Sequence, residues 1–313
     1  MPRMKQINVV VSLPGENQYL REQASAAGET ARRLGMNARI INAESDPVNQ
    51  SQQLLEIIQS SSAPVPDAIL VEPVTESGLP RVAEAAAKAG IGWVVSNARV
   101  DYIERLRSNS RAPIFSVSQD HGEIGRLQAR QFAMLLPDGG SVLYLRGPAS
   151  NSLACQRAEG LESAAPGNIQ IKTLKIQWTE ESGYQTVSSW LRLSTVRAAS
   201  VHLICSQNTD FIAAARRAFQ DVAQGEERAR WLNIPCAGAG LPSQARPLVE
   251  SGVLAAAVIT SLTIDTCLQM LRHALESKLQ PPERTVVSAS SYPSLEELAR
   301  LQATRSAAGA TGK

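Results

Sequence analysis

Residues 7–42 read INVVVSLPGENQYLREQASAAGETARRLGMNARIIN. The opening stretch, Ile7 to Leu13, is a nearly continuous apolar run rich in valine. Such a run suits a strand buried on both faces. Asn17 to Leu34 then places apolar side chains at helical spacing, and Gly35 follows as a natural stop. Ala38 to Asn42 is a second strand. Strand, helix and strand in so short a span predict a βαβ unit, with parallel strands and a right-handed crossover.

The same rhythm continues outward. Further strands are expected at Ala68–Val71, Trp93–Ser96 and Ile114–Val117. Helices are expected at Pro47–Ser60 and Leu79–Ala89. After Val117 the pattern restarts. Helices are expected at His121–Leu136, Ser152–Ala164, Gly183–Leu193, Asp210–Ala223, Pro242–Ser251 and Ile264–Glu276. Strands are expected at Ser141–Leu145, Ile169–Ile176, Val201–Cys205, Ile234–Gly238 and Ala255–Ile259, with one last strand at Val286–Val287. The two halves also match coarsely: strand, loop, Asn17 and helix in the first, then strand, loop, Asn151 and helix in the second. The predicted fold class is α/β, with two doubly wound parallel-sheet lobes. The first lobe is expected to hold 1–117 plus 261–285, and the second 118–260 plus 286–300. Residues 301–313, rich in Ala, Gly and Thr, are expected to be a disordered tail. The chain then crosses between lobes three times, as a hinge would.

Composition narrows the function. Of 313 residues, 43% are apolar and 19% charged, an ordinary globular balance. Thirty-one basic against 29 acidic residues leave a net charge of +2, without the clustered excess of a nucleic-acid binder. No apolar stretch reaches the length of a membrane span. The start, Met1 to Gln6, lacks the apolar segment of a signal peptide, which by itself suggests the cytoplasm. Cys155, Cys205, Cys236 and Cys267 are widely spaced, with no C-x-x-C, so buried thiols are expected rather than a metal or redox centre.

Enzyme signatures fail one by one. Gly238-Ala239-Gly240 follows a strand, but Ser243 stands where a dinucleotide fingerprint needs its third glycine. The ending Gly309 to Lys313 imitates a phosphate loop without the strand that must precede it. His121, His202 and His273 are scattered, with His202 expected in the core and His273 on a helix surface. Catalytic residues, cofactors and metals are all expected to be absent.

Several short segments, in this order and spacing, resemble a known family. They are Asn17-Gln18-Tyr19-Leu20, Ser118-Gln119-Asp120 with Gly125, Cys155-Gln156-Arg157-Ala158-Glu159-Gly160-Leu161, Ser206-Gln207-Asn208-Thr209-Asp210, and Gly252-Val253-Leu254-Ala255-Ala256. Over residues 6 to about 290 the chain resembles the type I periplasmic binding proteins, close to ribose-type sugar receptors and LacI-type effector domains. The resemblance implies a solute-binding protein that closes two lobes around a small polar ligand, a sugar or sugar derivative, as the receptor of an ABC-type importer. It implies a periplasmic location, a membrane permease or sensor protein as partner, and a monomer. The alternative is a cytoplasmic or sensor-associated regulator. It would lack a DNA-binding domain, since a strand already begins at Ile7.

The resemblance also carries over site residues. Asn17 matches a loop asparagine that binds sugar hydroxyls. Tyr19 and Leu20 match a pair of ring-stacking positions. Arg157 matches the arginine of an R-x-x-G motif, Trp178 a second-lobe aromatic, and Asn208 the asparagine after a central strand. Other positions depart from the sugar receptors. Asn97-Ala98, with Arg99 one place on, stand where Asp-Arg is usual. Gly240 falls in the stretch that usually holds an aspartate, and Thr260 where an amide is usual. With two carboxylates gone, the resemblance implies weak binding of a neutral monosaccharide and a preference for a negatively charged ligand. Each residue also has a plainer reading. Asn17 and Asn208 suit helix N-caps, Tyr19 suits a core, Trp178 suits a strand end, and Arg157 suits a surface ion pair.

Overall fold

A computed structural model describes residues 6–61, 64–193 and 200–310. The chain forms two compact units, one from 1–119 and 262–287, the other from 120–261 and 288–313. Three chain crossings join them.

The first unit is a six-stranded sheet. Its strands are β1 (Ile7–Leu13), β2 (Met36–Asn42), β3 (Ala68–Val71), β4 (Gly92–Ser96), β5 (Ile114–Gln119) and β11 (Arg284–Val287), in the order β11-β5-β4-β3-β1-β2. Every pairing is parallel. The helices α1 (Gln18–Arg33), α2 (Pro47–Gln59), α3 (Pro80–Lys88), α4 (Ile103–Ser108) and α11 (Ile264–Ser277) cover it. Two cores result. Val10, Ile69, Val71, Trp93 and Val95 pack with α2, α3 and α4 on one face. Val9, Val11, Leu70, Val94 and Phe115 pack with α1 and α11 on the other. This two-sided burial is why the strands read as unbroken apolar runs.

The second unit repeats the plan. Its strands are β6 (Gly140–Arg146), β7 (Ile169–Lys175), β8 (Leu203–Ser206), β9 (Cys236–Gly240), β10 (Ala256–Ile259) and β12 (Ser290–Tyr292), in the order β12-β10-β9-β8-β6-β7. The last strand is antiparallel to β10, the one departure from parallel pairing among the described residues. The helices are α5 (His121–Leu135), α6 (Ser152–Ala164), α7 (Glu180–Leu191), α8 (Thr209–Val222), α9 (Gly225–Asn233), α10 (Pro242–Glu250) and α12 (Leu295–Ala310).

Close packing of α5 on α6 depends on glycine. A Cβ on Gly125 would overlap the carbonyl oxygen of Arg157, and one on Gly160 the carbonyl oxygen of Gly122. The two backbones therefore approach more closely than any side chain allows.

Several sequence expectations need correction. Residues 286 and 287 belong to the first unit, because β11 pairs with β5 there and the chain crosses only after Val287. The expected disordered tail is helical through Ala310, where the abundant alanines favour helix; 311–313 lie outside the described residues. His202 is exposed, just before β8, and its Nδ1 accepts a 3.0 Å hydrogen bond from the Ser141 backbone. The helices α4, α9 and α12 were not anticipated. In α9 only Trp231 is buried, so the stretch carries little apolar periodicity.

Candidate binding site

In an open parallel sheet, loops at the carboxyl ends of the strands gather polar groups where the topology reverses. In the first unit, Asn17, Glu72 and Asn97 follow the adjacent strands β1, β3 and β4.

Asn17 caps α1. Its Oδ1 accepts from the Leu20 backbone at 2.9 Å. Leu20 itself is 6% exposed and belongs to the core, not to a ring-stacking surface. Tyr19 is half-buried, and its hydroxyl accepts from Gln23 Nε2 at 3.0 Å. The same amide lies 3.1 Å from Thr263 Oγ1 and 3.4 Å from Glu72 Oε2. Ser96 Oγ is 2.7 Å from Thr263 Oγ1. Asn97 adopts a left-handed backbone, φ 50°, which asparagine tolerates better than most residues. That turn lets Asn97 Nδ2 donate to Glu72 Oε1 at 3.3 Å. Tyr19 and Asn97 are therefore joined through Gln23 and Glu72, two residues the sequence reading passed over. Arg99 is exposed and takes no part.

Glu72 changes the electrostatics expected of this unit. It is 8% exposed, and its recorded side-chain partners are the two amides of Gln23 and Asn97. Burial pushes its pKa up to about 7, against the smaller pull of those amides. A carboxylate therefore does stand at this end of the sheet, one strand over from Asn97.

In the second unit, Arg157 leaves α6 towards two acceptors. Its Nε donates to His121 Nδ1 at 3.1 Å, and its Nη1 donates to the Gln207 carbonyl. His121 is 2% exposed. Burial, aided by the Arg157 charge, lowers its pKa well below the usual value and keeps Nδ1 an acceptor. Gln207 is fully buried and fully used: Oε1 accepts from the Gly147 backbone at 2.9 Å, and Nε2 donates to Tyr144 Oη at 2.9 Å and to the Ala154 carbonyl at 2.8 Å. Asn208 follows as the cap of α8, its Oδ1 accepting from Phe211 at 2.9 Å.

Trp178 is half-buried, stacked on Phe211 at 5.5 Å between centroids, and lies over Gly147, where a Cβ would overlap its ring. Thr260 is buried, and its amide donates to the Gly240 carbonyl at 2.9 Å, while Gly240 lies against Thr209. Arg157, Asn208 and Trp178 are thus linked through Gln207, Gly147 and Phe211; Gly240, at the end of β9, and Thr260, just after β10, form a second group. Arg146, at the end of β6, was also missed. Its Nη2 touches Cys155 Sγ at 3.2 Å and its Nε is buried without a partner. A basic residue closing a buried strand was the only hint the sequence held. Among the described residues, no group of three or more His, Cys, Asp or Glu could hold a metal, and no helix is long and apolar enough to cross a membrane.

The sequence model of the periplasmic binding protein domain matches residues 7–275, spanning both sheets and their candidate site groups. The chain belongs to the periplasmic binding protein family. Within it, a curated relative described as a putative rhizopine-binding protein, from Rhizobium meliloti, is 26% identical over 163 residues. That match covers 50% of each chain, so the family member here aligns with about half the length of this relative. Solved structures share the fold. An ABC transporter periplasmic solute-binding protein from Actinobacillus succinogenes, with D-allose bound, superposes with a TM-score of 0.77 at 18% identity, covering 91% of this chain and 97% of that one. The Caulobacter myo-inositol-binding protein gives 0.72 at 17% identity, covering 93% and 94%.

Proposed function

We propose that this protein is a solute receptor of an ABC-type importer and that its ligand is a small, hydroxyl-rich molecule, a sugar or polyol. The observation that carries this reading is the match of a binding-protein family across both units. It is supported by the polar groups at the strand ends: amide donors at Asn17, Asn97 and Asn208, a guanidinium at Arg157, and an aromatic face at Trp178. These are the hydrogen-bonding and stacking groups that orient a polyol. The reading places the protein outside the cytoplasmic membrane, beside a permease, and assigns it no chemical step.

Calorimetry against D-allose, L-arabinose, D-fructose and myo-inositol tests the proposal. At least one should bind saturably with 1:1 stoichiometry and raise the melting temperature. Absence of binding to all four would overturn it.

A further inference from the structure

We propose that Glu72 is the specificity-determining carboxylate of the first unit, accepting a hydroxyl hydrogen from a neutral polyol and giving up its own proton when that ligand binds. This rests on the receptor reading above and deepens it. No sequence pattern assigned a role to this residue.

The geometry has three parts. First, Glu72 follows β3 between the candidate residues that follow β1 and β4, at the ligand-bearing end of the sheet. Second, its carboxyl is held by two neutral amides, Gln23 and Asn97, and no cation among the described residues pairs with it. A buried carboxylate with only amide donors retains acceptor capacity, which a ligand hydroxyl can fill. Third, Gln23 is itself fixed, because its Oε1 accepts from the Ile264 backbone and its Nε2 reaches Tyr19 and Thr263. The carboxyl is therefore positioned before any ligand arrives.

The groups around Glu72 are Gln23 from α1, whose amide also reaches Tyr19 and Thr263, Asn97 after β4, and Cys267 from α11. Burial raises the Cys267 thiol far above neutrality. The proton exchanged around pH 6–8 is therefore assigned to the carboxyl, and the Glu72→Gln variant below checks that assignment. With its pKa pushed up to about 7, Glu72 is roughly nine-tenths protonated at pH 6 in the empty protein. A hydroxyl donor favours the ionised form. Binding should release about 0.9 proton at pH 6, and affinity should rise about tenfold between pH 6 and pH 8.

The probe is the tightest binder among D-allose, L-arabinose, D-fructose and myo-inositol. Titrating it in buffers of different ionisation enthalpy counts the protons released. The wild type should show the release, and Glu72→Gln should show none and a flat pH profile. The carbon-13 chemical shift of the Glu72 carboxyl, followed in the wild type, gives a second measurement that needs no variant: its midpoint should move down when the probe saturates. Probe binding without proton release, or a Glu72→Gln protein that still releases the proton, overturns this assignment and leaves the receptor reading intact. No binding by any of the four probes overturns both.

Discussion

Glu72 also bears on the empty protein. Burial raises its folded-state pKa from 4.5 to about 7, so the folded state holds the proton more tightly than the unfolded chain. The stability this gives is fully present below pH 4.5 and is lost as the pH rises through 7. The stability lost by pH 8 is on the order of 3 kcal/mol. Glu72→Gln keeps the acceptor oxygen and removes the charge. Urea denaturation of the empty protein should therefore show the wild type losing stability relative to Glu72→Gln between pH 5 and pH 8. Equal pH slopes for the two proteins would mean that Glu72 is already ionised at pH 5. Asn17 and Asn208 show how one residue can satisfy two readings. Each caps a helix through Oδ1, as their positions before helical runs suggested, and under the proposed function each would also offer its amide donor to a ligand.

Among the elements, the pair α5 and α6 has the narrowest tolerance. Gly122, Gly125 and Gly160 bring the two backbones together, and Arg157 and His121 leave from that junction. Gly160→Ala would drive a methyl group into the Gly122 carbonyl, and forcing the helices apart should cost about 1–3 kcal/mol or more. A thermal melt should show this as a clear fall in melting temperature. Ligand binding should weaken with it, because separating the helices draws Arg157 from the Gln207 carbonyl. Gly167, with no heavy atom within 4 Å of its would-be Cβ, is the control. Its replacement by Ala should leave both readouts nearly unchanged. A Gly160→Ala protein as stable as the control would show that the helices separate at little cost.

For the whole molecule, each unit is built from two separated stretches of chain. The first sheet buries one face under α1 and α11, and α11 supplies Ile264, Cys267, Leu268 and Leu271 to that core beside Val11, Leu70 and Phe115. A fragment ending at Gln119 would expose that face and lose β11. At about 1.5–3 kcal/mol for each large apolar side chain, the loss rivals the whole stability of a domain. The fragment 1–119 should therefore lack dispersed amide resonances and a cooperative melt. A cooperatively folded fragment would show that α11 is dispensable.

The alternation of apolar runs and amphipathic stretches was enough to determine two parallel α/β lobes, because a strand buried on both faces leaves an uninterrupted apolar signature. Helix caps were legible for the same local reason: Asn17 and Asn208 each act within four residues of themselves. Family motifs named Arg157 and Trp178, but not their partners. What only the tertiary structure decided is long-range. It brought Gln23, Glu72, Asn97 and Thr263 into one buried network, although Gln23 and Thr263 are 240 residues apart. It also turned His121 into an acceptor for Arg157 and assigned β11 to the first sheet. No local pattern marks such residues, since a glutamate after a strand looks solvated until the neighbouring strands and helices close over it. Burial, which sets the proton affinity of Glu72, exists only once those distant segments have met.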